Sequence, residues 1–426
     1  MMRPGETMKH WTLATYAVLS ALSLSACIAG SPRSLPAAEF TTQGEALAIQ
    51  LSKSAIRYEG TPSKTGYMVL ADPSGRTRAF QSGQMFGAQP LWTESGLFYG
   101  GAASELLTTD EGTREITRDI EPDGELARYP HDGGRGFMSV YNGGADPGGY
   151  QQPVLIGHPE GTESLDVRGA YMNMGACSDT LYAVTETKFA PNLLEQAKAV
   201  HRENTGDSSQ NEEFDVLVQL FPSDDPQNPT VLEALPHDER FSRGNREFLC
   251  YGETISLLSF LLDHPDAQRG DGRDPSAGHA VLESWNLRTH ERLSLDLTDN
   301  DGAFLDLTRD DLTIPTGTLD GSTFRFVTMT GKVFSVDIDT GIGTHLYTFE
   351  RSPEGGSVPR YDATTRAIYR LDNGMNDDSV LDFSRYVFDT ERFEHLFDVE
   401  SLAPYRRGGL NIEGIAVNPV WEKALS

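Results

Sequence analysis

Basic residues are scarce in this chain. Its 426 residues carry 35 Lys and Arg against 63 Asp and Glu, a formal net charge of −28. A field of that sign repels nucleic-acid phosphates and anionic lipid headgroups, so neither is an expected partner surface. Catalytic signatures are missing too. There is no Gly-x-Ser-x-Gly elbow, no His-Glu-x-x-His and no Gly-x-x-x-x-Gly-Lys loop, which removes three common chemistries from the expectation. The ten histidines are scattered. His237-Asp-Glu and His290-Glu fall at loops or turns without metal-ligand spacing, and each His reads as solvated or locally bonded. The sequence therefore predicts no catalytic residue, no metal site and no cofactor.

What is present begins at the N-terminus. Arg3 and Lys9 precede an apolar run from Trp11 to Leu24. At 14 residues this run is too short for an ordinary spanning helix and reads as a secretory signal. Met8 gives a more usual signal start than Met1. Leu24-Ser25-Ala26-Cys27 follows, and these four residues resemble the lipobox of bacterial lipoproteins. The resemblance implies cleavage before Cys27 and a diacylglycerol on its thiol. The protein would then be anchored in the membrane by lipid, facing away from the cytoplasm. Residues 1–26 would be the signal peptide, 27–45 the lipidated Cys with a flexible tether, and 46–426 the folded domain. The processed chain would hold 33 basic and 62 acidic residues.

The remainder is rich in β-formers and turns, with 42 Gly and 23 Pro. Lys332 to Phe349 shows the unit most clearly: a strand, the turn Asp339-Thr340-Gly341, and a second strand. Comparable hairpins are predicted at Tyr67–Phe80, Glu105–Thr117, Val154–Val167, Val216–Leu235, Val281–Leu295 and Tyr386–Val399. Two further strand-like pieces lie between successive hairpins, such as Pro90–Trp92 with Gly96–Tyr99, and Asp311–Thr316 with Thr323–Val327. Val358–Tyr361 with Ala367–Arg370 is a third pair. Four strands per unit, at spacings near 50 residues, is the pattern of a β-propeller. Asn192–Asn204 reads as a helical insertion, and Thr205–Glu213 and Pro265–His279 as exposed loops. Ala46–Ala55 fits either a short helix or a first strand.

Asn411 to Pro419 reads as an inner strand with no partners after it, while the hairpin at Tyr67 lacks clear inner strands. The economical expectation is an all-β propeller of seven four-stranded blades, the C-terminal strand completing the N-terminal blade; eight blades is the alternative. Asp337-Ile-Asp-Thr-Gly341 and Gly414-Ile-Ala-Val-Asn-Pro419 resemble repeats of the YVTN and quinoprotein-like propeller superfamily. That likeness implies the fold and carries no activity. Quinone-dependent members would show adjacent cysteines or recurrent Trp motifs, whereas Cys177 and Cys250 are far apart and Trp92, Trp285 and Trp421 are isolated.

Cys177 and Cys250 fall at matching places in neighbouring units, near the ends of inner strands. They form either a disulfide or two buried free thiols. Asp299-Asn-Asp-Gly302 and Asn376-Asp-Asp378 hold oxygen ligands close together but read as plain turns rather than Ca²⁺ loops. Ligand sites in propellers lie at the channel mouth, which points to the segments around Tyr361-Asp362, Asp306–Asp311 and Ser242–Glu247. The expected function is a non-catalytic module binding an envelope protein or glycan. The alternatives are a glycan lyase or hydrolase with carboxylates at the channel mouth, and an envelope assembly factor.

Overall fold

A computed structural model describes residues 34–53, 65–120, 124–207, 211–243, 248–264, 277–289, 291–313, 315–350, 358–372, 380–400, 402–406 and 409–425. Seven antiparallel sheets form a seven-bladed β-propeller. Blades 2 to 7 each come from one continuous stretch. Blade 2, for instance, is Leu91–Thr93, Gly96–Gly100, Ser104–Thr109 and Gly112–Thr117 from the axis outward. Blade 4 is Asn173–Cys177, Thr180–Glu186, Phe214–Phe221 and Thr230–Pro236. The seven predicted outer hairpins are all third-and-outer strand pairs.

Blade 1 closes the ring. Its innermost strand is Asn411–Val417 from the C-terminus, paired antiparallel with Leu47–Ser52, and followed outward by Tyr67–Ala71 and Thr77–Gln81. The ambiguous segment at Ala46 is thus a strand. All six residues of Leu47–Ser52 are buried, because this strand is covered by neighbouring blades on both faces. Outer strands read differently: Gly112–Thr117 buries Ile116 alone.

Turn chemistry fixes the hairpins. In blade 6 the Asp337 carboxylate accepts the Thr340 N–H and the Thr340 hydroxyl, each at 2.9 Å, and Gly341 takes φ +73°. Gly75 (φ +81°) serves closure as well as turning. A Cβ there would lie 1.9 Å from the Asp398 carbonyl oxygen of blade 7, and Gly75 O accepts the Glu400 N–H at 2.8 Å.

Three expectations need amendment. The inner strand of blade 6 is Thr316–Asp320, not Asp311–Thr316. Asp311 is instead a buried loop clamp whose carboxylate accepts the Thr308 N–H at 2.9 Å and faces Lys332. Beyond Gly278, the expected loop at Pro265–His279 is already strand, and residues 265–276 lie outside those described. The expected tether gives way to packed chain at Ser34: Leu35 N–H bonds to Ala79 O at 2.8 Å, and buried Phe40 stacks on Phe80 at 5.6 Å. The signal segment, Cys27, His290 and Asn376-Asp-Asp378 lie outside the described residues.

Candidate functional site

Strand alternation sorts the connections onto two faces. Links from second to third strands, and from each outer strand to the next inner one, emerge together on what we call the upper face. The turns after the inner and third strands lie on the lower face.

On the lower face Cys177 and Cys250 come together, with Cα atoms 5.5 Å apart and the sulfurs joined. Matching inner-strand ends of adjacent blades converge on the axis, which is what brings residues 73 apart in sequence to bonding range.

On the upper face two blade junctions repeat one arrangement. Glu105 and Asp215 are each the second residue of a third strand, in blades 2 and 4. They pair inward with Gly100 and Glu186, and outward with Ile116 and Leu235. Two residues beyond those outer partners come Arg118 and His237. The next blade's inner strand supplies Arg128 opposite Ser139 in one case, and Arg243 opposite Ser259 in the other.

At the junction of blades 2 and 3 this arrangement is sealed. Glu105 takes Arg118 at 2.5 Å, Arg128 at 2.6 Å and the Tyr141 hydroxyl at 2.6 Å, and Arg128 also meets Glu125 at 2.7 Å. Two carboxylates face two guanidiniums, all buried. Burial opposes ionisation of Glu105, but Arg128 and Arg118 outweigh it and hold its carboxyl below the ordinary range.

At the junction of blades 4 and 5 the core is similar. Asp215 meets Arg243 at 2.7 Å and Arg292 at 3.2 Å, and both arginines reach Glu283 at 3.0 Å. Here the fixed cation of Arg118 is replaced by His237, whose Nδ1 stands 2.7 Å from Asp215 Oδ1. Despite burial, that hydrogen bond and the arginines hold Asp215 well below the usual carboxylate range. The same bond raises His237 above its ordinary pKa.

The second difference opens the site. Where blade 2 has Gly100, blade 4 has Glu186, and Glu213 comes just before the third strand. His237 Nε2 lies 3.4 Å from Glu186 Oε2 and 4.0 Å from Glu213 Oε1. Lys188 bridges the two carboxylates, in contact with Glu186 and 3.3 Å from Glu213. Its ammonium also sits 5.0 Å from the Phe189 ring. Phe189 is 50% exposed and Met172, at the entry to the same blade, 48%. Ala170 N–H bonds Phe189 O at 3.0 Å and ties the two segments together. The insertion carrying Lys188 and Phe189 continues into the helix Leu194–Thr205, close to the predicted span. That helix docks on the outer strand through buried His201, whose Nδ1 is 3.1 Å from Ala234 O.

The segments chosen by position are engaged in the fold. Asp362 accepts the Val417 N–H at 2.8 Å, Lys332 reaches Asp306 at 3.0 Å, and Arg243 belongs to the junction just described. Residues 244–247 are outside those described. Asp299 is a turn, accepting the Asp301 and Ala303 N–H groups at 2.9 Å. A further group, Asp382, His395 and Asp398, lies on the outer part of blade 7, where Asp382 is also held by Arg370 at 3.2 Å. The expectation that His237 is solvated or locally bonded is corrected: its partner Asp215 is 22 residues away and shared with two arginines. Glu186 and Glu213 were not singled out from sequence.

No family model matches the sequence, and no curated protein matches it. Solved structures similar to it include apo AztD from Citrobacter koseri, 9% identical at TM-score 0.42, covering 84% of this chain and 96% of that one. BamB from Moraxella catarrhalis is 12% identical at TM-score 0.35, covering 73% and 74%. A putative 6-phosphogluconolactonase from Bacteroides uniformis ATCC 8492 is 11% identical at TM-score 0.40, covering 88% and 99%. Likenesses this distant say nothing of this chain's activity. The strand order itself defines the protein as a seven-bladed β-propeller.

Proposed function

We propose that this chain is a lipid-anchored, extracytoplasmic propeller that holds an envelope protein on its upper face above blade 4. One observation carries the choice of face. The blade 4 junction leaves Glu186, Glu213 and Lys188 partly open beside half-exposed Phe189 and Met172, whereas its counterpart in blade 2 is shut. Exposed aromatic and thioether side chains ringed by charge are the composition of a protein-binding patch. The acidic surface favours a partner segment of positive charge. The lipobox-like Leu24-Ser-Ala-Cys27 supplies the anchor, and no helix among the described residues is long and apolar enough to cross a membrane.

Anchoring is tested by Cys27→Ala in the native host. The expected result is release from the membrane fraction into the soluble extracytoplasmic fraction. A variant that stays membrane-bound with the wild-type mass would refute the anchor.

A further inference from the structure

The geometry points to a divalent transition-metal site, with Zn²⁺ as the best-fitting ion, formed by His237 Nε2, Glu186 and Glu213 on the upper face of blade 4. It shares a face with the proposed partner surface but does not depend on a partner.

The ligand set comes first. One oxygen from each carboxylate and a ring nitrogen of His237 lie within 4.8 Å of one another. Donors bound to a tetrahedral ion at about 2.0–2.1 Å sit roughly 3.3 Å apart. The His237 Nε2 separations of 3.4 Å to Glu186 and 4.0 Å to Glu213 are close to that edge length. Small side-chain movements close the difference. Three protein ligands leave one position for water or an incoming group.

The second observation is independent of the cluster's composition. Asp215, fully buried, takes the Nδ1 side of His237 at 2.7 Å. This orients the ring with Nε2 toward the two carboxylates, as outer-shell carboxylates do for metal-bound histidines. Asp215 is itself fixed by Arg243 and Arg292, so the ring is held by the junction's ion cluster.

The third concerns desolvation. The facing oxygens, Glu186 Oε2 and Glu213 Oε1, are shut off from water. Two converging carboxylate oxygens in that state call for a cation. Lys188 supplies one, but its side chain is 47% exposed and long enough to swing into solvent. It acts as a resident counter-ion that a metal displaces. The comparison inside the molecule agrees: at the sealed junction Arg118 and Gly100 stand where His237 and Glu186 stand here, and no ligand set forms. An imidazole nitrogen with two carboxylates selects zinc-like ions over Ca²⁺, which takes six to eight oxygens.

The test uses the processed chain without a histidine tag, titrated calorimetrically with Zn²⁺ alone and, separately, with Ca²⁺. The expected result is one Zn²⁺ per chain and no Ca²⁺ of comparable affinity. Glu213→Gln, at a half-buried position outside the junction core, should weaken Zn²⁺ at least about tenfold. Lys188→Gln should tighten it by removing the competing charge. Co²⁺ at the site should give the strong visible absorption of a four-coordinate complex, lost in His237→Gln. Zn²⁺ binding that is absent, or equal in wild type, Glu213→Gln and Lys188→Gln, overturns the site. Partner contact at Phe189 is read by a separate experiment, so either claim can fail while the other stands.

Discussion

Asp362 accepts the backbone N–H of Val417 across 2.8 Å, pinning the last strand of the chain to the inner strand of blade 7. Arg360 adds a bond to Ile412 O at 2.8 Å, so the closing strand is stitched along its length. Closure therefore rests on side chains of blade 7 as well as on the ladder with Leu47–Ser52.

That relationship has a pH signature. Burial pushes the Asp362 carboxyl up to about 6, against the pull of the Val417 and Ala363 N–H groups. A folded pKa above the unfolded value of about 3.9 gives stability that is complete below the unfolded pKa and lost as pH rises through the folded one. Asp362→Asn keeps an acceptor for Val417 and removes the charge. Relative to wild type it should gain on the order of 1–2 kcal/mol at pH 7.5, allowing for screening by the solvent that reaches the side chain, and gain nothing at pH 4. Thermal melts across that window check it; an offset independent of pH would refute it.

The two junctions should respond differently to loss of a partner. Glu105→Gln leaves Arg118 and Arg128 short of counter-charge in a sealed interior and should cost about 3–5 kcal/mol. His237→Gln, at the equivalent position to Arg118 but beside solvent, should cost about 1–2 kcal/mol. Urea denaturation of the two variants compares them. Equal losses would mean that the blade 4 junction is as closed as that of blade 2.

Much of the fold is legible in the residues. The turn Asp337 to Gly341 declares its hairpin because Asp, Thr and Gly each perform a backbone task there. Closure is legible because Asn411–Val417 reads as an inner strand while the hairpin at Tyr67 lacks clear inner strands of its own. The inner strand of blade 6 was misplaced because Asp311 sits in a β-like stretch whose real requirement is a set of loop donors. The site was not legible by spacing: Glu186, Glu213 and His237 are spread over an insertion, and only strand register brings them together. A signal did exist. Setting the outer-strand residue Ile116 of blade 2 over Leu235 of blade 4 puts Arg118 on His237, and the exchange of a fixed cation for a titratable one marks the site.

The cysteine pair should be oxidised in the exported protein. Titrating thiols in the unfolded, unreduced, processed chain should find none from Cys177 or Cys250, with Cys27 blocked by its lipid. Reduction should then lower stability by about 2–4 kcal/mol. Two reactive thiols per chain before reduction would contradict the bond.

The claim that the upper face above blade 4 holds an envelope protein is tested most directly by site-specific photo-crosslinking in native membranes. A photoreactive residue at Phe189 or Met172 should give one shared protein adduct. The same residue at Leu293, an exposed position on the outer strand of blade 5, should not give it. The adduct should disappear when Phe189 is replaced by Asp in a chain crosslinked from Met172, with the melting temperature unchanged. Absence of any adduct at Phe189 and Met172, or an equal one at Leu293, would contradict the account.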